Sequence, residues 1–331
     1  MTDKKVLELF AGKGAFTKAM RNKNIPFHLV GFSEIDEAPI KAYCAIHNVD
    51  ESLNLGSVTE INATNLDVDI VVHGSPCQSY TRAGKGEGGD EGSGTRSSLM
   101  WETVRIVKEC SPNVVIWEQV PDVLSKKHKH NFDKYIEDLT DLGYISHYKI
   151  LNANDQGSAQ KRKRLIVVSI DKDCDFTFEF PLNKSTFKPL SSYLENNVDE
   201  KYSVPKKVID ELILGRTEDS GYKIKNATKQ GYLVAYEDDG IDWSFPTSKT
   251  RRGRVQRNMC QTLTTSKSIG TIQNGIARYF TPLEYWRLQE FTDQDYELAK
   301  STGLNDDDMY HLAGNSINVK VLEAVYNELF K

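Results

Sequence analysis

The feature that most narrows what this chain can fold into is the alternation of two periodicities across its first 170 residues. Short β-branched or aromatic-rich runs at 6–10, 27–32, 70–73, 114–117 and 165–170 each fit a buried strand. Between them, 17–22, 38–47, 99–110 and 132–142 repeat apolar residues at helical spacing. Strands alternating with helices predict an α/β fold, a mostly parallel sheet with helices on both faces. In such sheets ligands bind beyond the carboxyl ends of the strands, so a motif at a strand's end is a candidate site.

Past residue 175 the rhythm changes. Residues 201–267 are polar, with Gly, Asp and Lys scattered and no strand–helix–strand signal, and predict a small domain of irregular or β structure. Helical spacing returns at 282–291 and 319–330. The expected division is a catalytic, cofactor-binding domain at 1–175, a second domain at 176–275, and a segment at 276–331 that docks back onto the sheet. Residues 84–94 (GKGEGGDEGSG) are low in complexity and predict a mobile loop. No run reaches the roughly 18 apolar residues of a membrane span and no signal peptide is evident, so a cytoplasmic protein is expected. Five scattered cysteines, without a CxxC pair or zinc spacing, predict free thiols and neither a disulfide framework nor a metal site.

The net charge of −5 does not by itself suggest a polyanionic partner. Charge distribution decides that question, and residues 245–270 carry six basic side chains and no acidic one. Such a run is either a solvated basic loop or a nucleic-acid contact.

Two strand ends carry chemistry. Residues 7–16 (LELFAGKGAF) run from a strand through a glycine turn into a helix, a geometry that brings backbone N–H groups to an anionic ligand. The turn fits any nucleotide-type cofactor, or simply a tight connection. The second strand ends Ser33-Glu34-Ile35-Asp36, where an acid is placed to accept hydrogen bonds from ribose hydroxyls. The run 69–78 (DIVVHGSPCQ) sets Cys77 just past a buried strand, where partial exposure and backbone dipoles favour a thiolate; the alternative is a small core filler. The next strand ends at Glu118, in the same crevice. A carboxyl desolvated there acts as an acid, or else pairs with a nearby arginine.

Together these residues resemble the cytosine-5 DNA methyltransferases of bacterial and phage type. The resemblance rests on Phe10–Gly14 (FAGKG), Pro76-Cys77-Gln78, Glu118 before Gln119-Val120, Gln160–Arg164 (QKRKR), Arg278–Glu284 with Arg287-Leu288-Gln289, and Gly314-Asn315-Ser316-Ile317, six elements in the family's order. It implies a Rossmann-like S-adenosylmethionine-dependent fold with a target-recognition domain in the uncovered middle. It further implies that Cys77 attacks carbon 6 of a cytosine turned out of duplex DNA, that Glu118 serves ring N3, and that Arg164, supported by Arg162, holds ring O2. The cofactor S-adenosylmethionine would meet Phe10, Gly12, Gly14, Glu34, Ile35, Ser57, Pro76, Asn315 and Ser316. Double-stranded DNA would meet Gln78, Thr81, Arg96 and Thr262, with Arg251, Arg252 and Arg254 including the base readers. A monomer is implied, and a cognate restriction endonuclease is a partner the resemblance allows.

Three departures stand out: Ser57 where the family carries Asp against the adenine amino group, Gln119 for Asn, and Ala159 for Pro. None removes a reacting group. The rival readings are a tRNA cytosine-5 methyltransferase, a non-catalytic DNA-binding relative, and, remotely, an NAD-type oxidoreductase. The first lacks support from its characteristic Cys-Phe-Thr stretch, the second would be expected to have lost Cys77 or Glu118, and the third would need a fuller GxGxxG.

Overall fold

The computed structural model describes residues 3–80, 87–184 and 186–331. At its centre lies a six-stranded sheet of β1 (Lys4–Leu9), β2 (Phe27–Ser33), β3 (Ile70–His73), β4 (Val114–Gln119), β5 (Tyr144–Asn152) and β6 (Lys163–Asp171), in the order β2-β1-β3-β4-β6-β5. Helices α1 (Ala15–Asn22), α2 (Glu37–His47), α3 (Met100–Cys110) and α4 (Lys129–Asp141) connect the first five strands. The first four strands run parallel, and β6 is antiparallel to both of its neighbours.

Side chains alternate across a strand, and here both faces are covered. Val6, Ile70, Val72, Val114 and Ile116 enter one core, while Leu7, Val71, Val115 and Trp117 enter the other. Two-sided burial makes these runs continuously apolar, which is why they are legible in the sequence. Strand β5 was not anticipated. It is an edge strand whose Ile145, Tyr148 and Ile150 stay exposed among polar neighbours, so no apolar run marks it.

From β1 the chain passes outward to β2 and then back across β1 to β3. The connections therefore diverge between β1 and β3, and a crevice opens at the carboxyl ends of those strands.

The second domain begins with α5 (Lys206–Leu212) and a three-stranded sheet of β7 (Ile213–Arg216), β8 (Tyr222–Lys225) and β9 (Tyr232–Ala235). A four-stranded sheet follows, of β10 (Gly240–Asp242), β11 (Val255–Gln256), β12 (Ile269–Gln273) and β13 (Ile276–Tyr279), in the order β11-β10-β12-β13. Leu212, Tyr222, Ile224, Trp243, Ile272 and Ala277 share one core beneath them. The expected boundary at 275 would cut the turn of the β12–β13 hairpin, whose ladder holds 276–279 to this sheet.

The chain then returns through α6 (Pro282–Leu288), α7 (Asp293–Lys300), α8 (Asp306–Asn315) and α9 (Val319–Leu329); α9 packs on α1 and α7 on α2. Helices α7 and α8 were not foreseen from periodicity. Each opens with a capping box, Thr292 with Asp295 and Asn305 with Asp308, and that was the readable signal.

The glycine-rich loop is a partial correction. Residues 81–86, Thr81 among them, lie outside the described residues. The part that follows is pinned: Asp90 accepts hydrogen bonds from His130 (2.7 Å) and Asn131 (2.8 Å), and the Trp101 indole donates to the Gly89 carbonyl (2.8 Å).

The glycine turn after β1 holds two glycines for different reasons. Both have positive φ, +55° at Gly12 and +79° at Gly14. A Cβ at Gly12 would meet nothing within 4 Å, whereas one at Gly14 would collide with the His47 imidazole and the Tyr43 ring. Gly14→Ala is therefore expected to cost ~3 kcal/mol of folding free energy, backbone strain plus overpacking, against ~1 kcal/mol for Gly12→Ala. Urea unfolding of the two variants checks this; equal losses would contradict it.

Candidate active site

The carboxyl ends of the parallel strands open onto a cleft of about 470 Å³. Phe10, Gly12, Glu34, Ile35, Ser57, Pro76, Asn315 and Ser316 line it, and so do Cys77, Gln78, Arg96, Glu118, Arg162 and Arg164. Residues read from eight separate stretches of sequence thus share one cavity. Gly14 is absent from the lining. It caps α1 in a left-handed conformation and serves packing against α2, not ligand contact.

On the glycine-turn side, Glu34 organises the backbone. Its carboxylate accepts from the Gly12 N–H (2.9 Å) and from the Ile35 and Asp36 N–H groups (2.8 and 3.2 Å). Asn54 in turn fixes the Glu34 backbone, accepting from its N–H and donating to its carbonyl. Ile35 stands 64% exposed on the lining, an apolar surface that a flat ring would cover. Ser57 shares a hydrogen bond with Thr59 (2.8 Å) and is present on the lining in place of an acid.

At Cys77, β3 ends at His73 and a four-residue segment carries the thiol past the sheet edge. Ser75 anchors that segment: its hydroxyl accepts from the Trp117 indole (3.0 Å) and its carbonyl from the Gln119 amide (3.2 Å). Gln119 is 1% exposed, so its amide holds the Cys77 segment and does not reach the cleft.

The expectation that position favours the thiolate is corrected. Burial pushes the Cys77 thiol upward, and the charge of Glu118 adds to the rise; Arg164 and Arg162 oppose it without cancelling it. Glu118 itself is engaged by Arg164, whose Nε lies 2.8 Å from Oε1, both side chains being largely buried. The strand-end carboxyl therefore takes the ion-paired alternative in this structure.

Arg162 is a clamp. Its terminal nitrogens donate to the carbonyls of Leu263 (2.9 Å), Gly314 (3.1 Å) and Ser316 (2.8 Å), inside the protein. A direct contact with a base is not available to those nitrogens, so its role is positioning. Gln160 works beside it, donating to the Leu288 carbonyl (3.0 Å) and accepting from the Leu263 N–H (3.2 Å).

Of the recognition candidates, Thr262 donates to the Lys161 carbonyl (2.8 Å) at the edge of this clamp. Arg252 is exposed, and Arg251 is exposed but bonded to buried Asp242 through Nε (2.8 Å). Arg254 is corrected: at 1% exposure, with its guanidinium spent on the carbonyls of Asp242, Ser244 and Phe245, it is not placed to read a base. Among the described residues no group of three or more His, Cys, Asp or Glu is arranged to hold a metal, and no helix is long and apolar enough to cross a membrane.

A family model of C-5 cytosine-specific DNA methylases matches residues 4–331. The chain belongs to that family. It is 28% identical to an orphan methyltransferase of Bacillus phage SPR, over 98% of this chain and 97% of that protein. It is 30% identical to a type II methyltransferase of Lactococcus lactis subsp. cremoris, over 99% of both. Among solved structures it resembles the Dnmt2 methyltransferase of S. pombe, with a TM-score of 0.68 at 18% identity over 99% of this chain and 98% of that one. It likewise resembles a putative DNA modification methyltransferase from an E. coli prophage, with a TM-score of 0.65 at 19% identity over 99% and 100%. The fold is thus the Rossmann-like sheet of these methyltransferases with a β-rich second domain.

Reasoning from sequence missed Ser75, which lines the cleft while anchoring the Cys77 segment, and Asn54, which acts on the cleft only through Glu34. No motif marks a hydroxyl or amide whose work is to hold a neighbouring loop.

The thiol's environment makes a direct prediction. Because its pKa is raised, the thiolate of Cys77 forms at higher pH than an ordinary thiol's, and alkylation should be slow at neutrality. Glu118→Gln removes a raising charge and should move the alkylation midpoint to lower pH; iodoacetamide labelling with peptide mass mapping measures this. A midpoint unmoved or raised by the substitution would contradict the assigned cause.

Proposed function

We propose that this protein methylates carbon 5 of a cytosine turned out of a short, specific duplex DNA sequence, through a covalent bond to Cys77. The observation that carries the reading is the shared cleft: a nucleophile, a carboxyl and a guanidinium in the same cavity as a glycine turn and a ribose-type acid. The cleft suits S-adenosylmethionine. Gly12 leaves its backbone open to close approach, Glu34 offers carboxylate oxygens to ribose hydroxyls, and Phe10 and Ile35 offer apolar surface to adenine. When bound there, S-adenosylmethionine supplies an electrophilic methyl carbon.

The protein's own groups do the rest. Cytosine is too poor a nucleophile at carbon 5 to react unaided. Cys77 surrenders its proton, for which Glu118 is the adjacent acceptor, and its sulfur bonds to carbon 6. The protonated Glu118 then serves ring N3, so charge does not build on the ring, while Arg164 turns from its carboxylate partner to ring O2. Carbon 5 gains electron density and reacts. Loss of the carbon-5 proton to solvent, with return of the N3 proton to Glu118, expels Cys77 and restores the ring. Flipping the base costs a few kcal/mol, which contacts of the second domain with the duplex must offset. A raised thiol pKa is consistent with this scheme, because the nucleophile is released only when a ring displaces the ion pair beside it.

The DNA reading is favoured over a tRNA reading by the names of the type II relatives and by a second domain of two sheets bearing an acid-free basic stretch. A non-catalytic relative is disfavoured because Cys77 and Glu118 are both retained in one cavity.

Labelled methyl donor with duplex DNA or tRNA tests the reading, with 5-methylcytosine in DNA expected and product in tRNA alone overturning it. Cys77→Ser should lower turnover ~10³-fold or more, and Glu118→Gln ~10²- to 10⁴-fold, with donor binding retained. A duplex containing 5-fluorocytosine should form a covalent complex with the wild type and none with Cys77→Ser, read by denaturing electrophoresis.

A further inference from the structure

The loop after β10 holds an aromatic ring out in water. Phe245 is 68% exposed, and its backbone has φ +47°, a conformation that L side chains rarely adopt. Leaving so large an apolar side chain in solvent forgoes burial, and the positive φ adds strain.

The structure around it maintains that arrangement at some expense. The buried Arg254 guanidinium donates to the carbonyls of Asp242 (2.9 Å), Ser244 (2.6 Å) and Phe245 itself (2.8 Å). Sequestering a guanidinium from water is costly unless its donors are satisfied, and here they are spent on fixing this loop. The Phe245 carbonyl also accepts the Ser248 N–H (3.0 Å), which closes a turn behind the ring. An exposed ring on an ordinary floppy loop needs no explanation; one presented by a buried cation does.

Charge and position identify the partner. Phe245 opens the stretch 245–270, with its six basic residues and no acidic one, and the Arg251 guanidinium lies 5.6 Å from its ring centre. Gln261 ties the loop's far end inward, donating to the Gly253 carbonyl at 3.2 Å. The next residue, Thr262, bonds to Lys161, adjacent to the Arg162 that lines the cleft. Arg251, Arg257 and Lys267 pair with Asp242, Asp239 and Asp307, and Arg254 is buried, which leaves Lys249 and Arg252 as the exposed cations beside the ring. A flat apolar face flanked by these cations, tethered to the rim of the cleft, matches a polyanion whose interior consists of stacked rings.

We propose that Phe245 is a DNA-contacting residue of the recognition domain, whose ring stacks on a base of the target duplex while Arg254 holds the loop that presents it. This rests on the proposed activity on duplex DNA. Arg254, the arginine that burial removes from base reading, thereby acts at one remove.

The test uses the full-length protein with Phe245→Ala, Phe245→Leu and Phe245→Trp. Base–aromatic stacking predicts a KM for duplex raised about tenfold in the Ala variant and less in Leu, with kcat at saturating duplex and the KM for methyl donor held within about twofold. The four native tryptophans are all buried, so the added emission of Phe245→Trp reports on the surface and should be quenched when duplex is bound. Both results are required. An unchanged duplex KM in Phe245→Ala, or Phe245→Trp emission indifferent to saturating duplex, overturns the inference; should Phe245→Ala fail to fold, Phe245→Leu and the emission decide. A wild type that methylates duplex DNA while its variants behave normally sinks this inference alone, whereas a wild type that methylates only tRNA sinks it together with the reading beneath it.

Discussion

A guanidinium sealed inside the protein joins three parts of the chain that are far apart in sequence. Arg162, just before β6, bonds to the Leu263 carbonyl within the second domain and to Gly314 and Ser316 at the end of α8. A buried arginine tolerates few arrangements, because each unsatisfied donor costs desolvation energy with no return. The terminal nitrogens of Arg162 find those three carbonyls while its Nε stays without a partner, and the three bonds tie the lining of the cleft together. The position of Arg162 brings the cleft residues Asn315 and Ser316 to the sheet, and ties the second domain to the first. Gln160, bonded to Leu288 and Leu263, adds a second tie across the same junction.

Within the cleft Cys77, Glu118 and Arg164 are held in mutual restraint. Glu118 is paired with Arg164, and the charge of Glu118 combines with burial to keep the Cys77 thiol protonated. A thiol that ionises freely is open to oxidation and to stray electrophiles. One whose surroundings favour the protonated form is protected from both. The same low-dielectric surroundings that raise the thiol's pKa also strengthen each hydrogen bond made in the cleft.

The second domain uses arginine in two physically different ways. Arg254 is buried and shapes the loop at 242–245, while Arg252 reaches solvent. Identical side chains two positions apart thus take opposite roles. The acidic balance of the whole chain is no obstacle to a polyanionic partner, since the field near 245–270 depends on charges within a Debye length.

The sequence by itself determined the parallel strands, whose two-sided burial demands unbroken apolar runs, and the strand-end positions of Gly12, Glu34, Cys77 and Glu118. Local rules suffice for these, because period and turn chemistry act over a few residues. It did not reveal β5, whose stability comes from its ladder with β6, nor the fate of each arginine. Whether Arg162, Arg164, Arg251 or Arg254 meets solvent, an acid or a carbonyl depends on chain segments up to about 150 residues away, as the bond from Arg162 to Ser316 illustrates. Tertiary structure alone decided those partners: a guanidinium looks the same in sequence wherever it lies, and only the packed surroundings settle which acceptors take its protons.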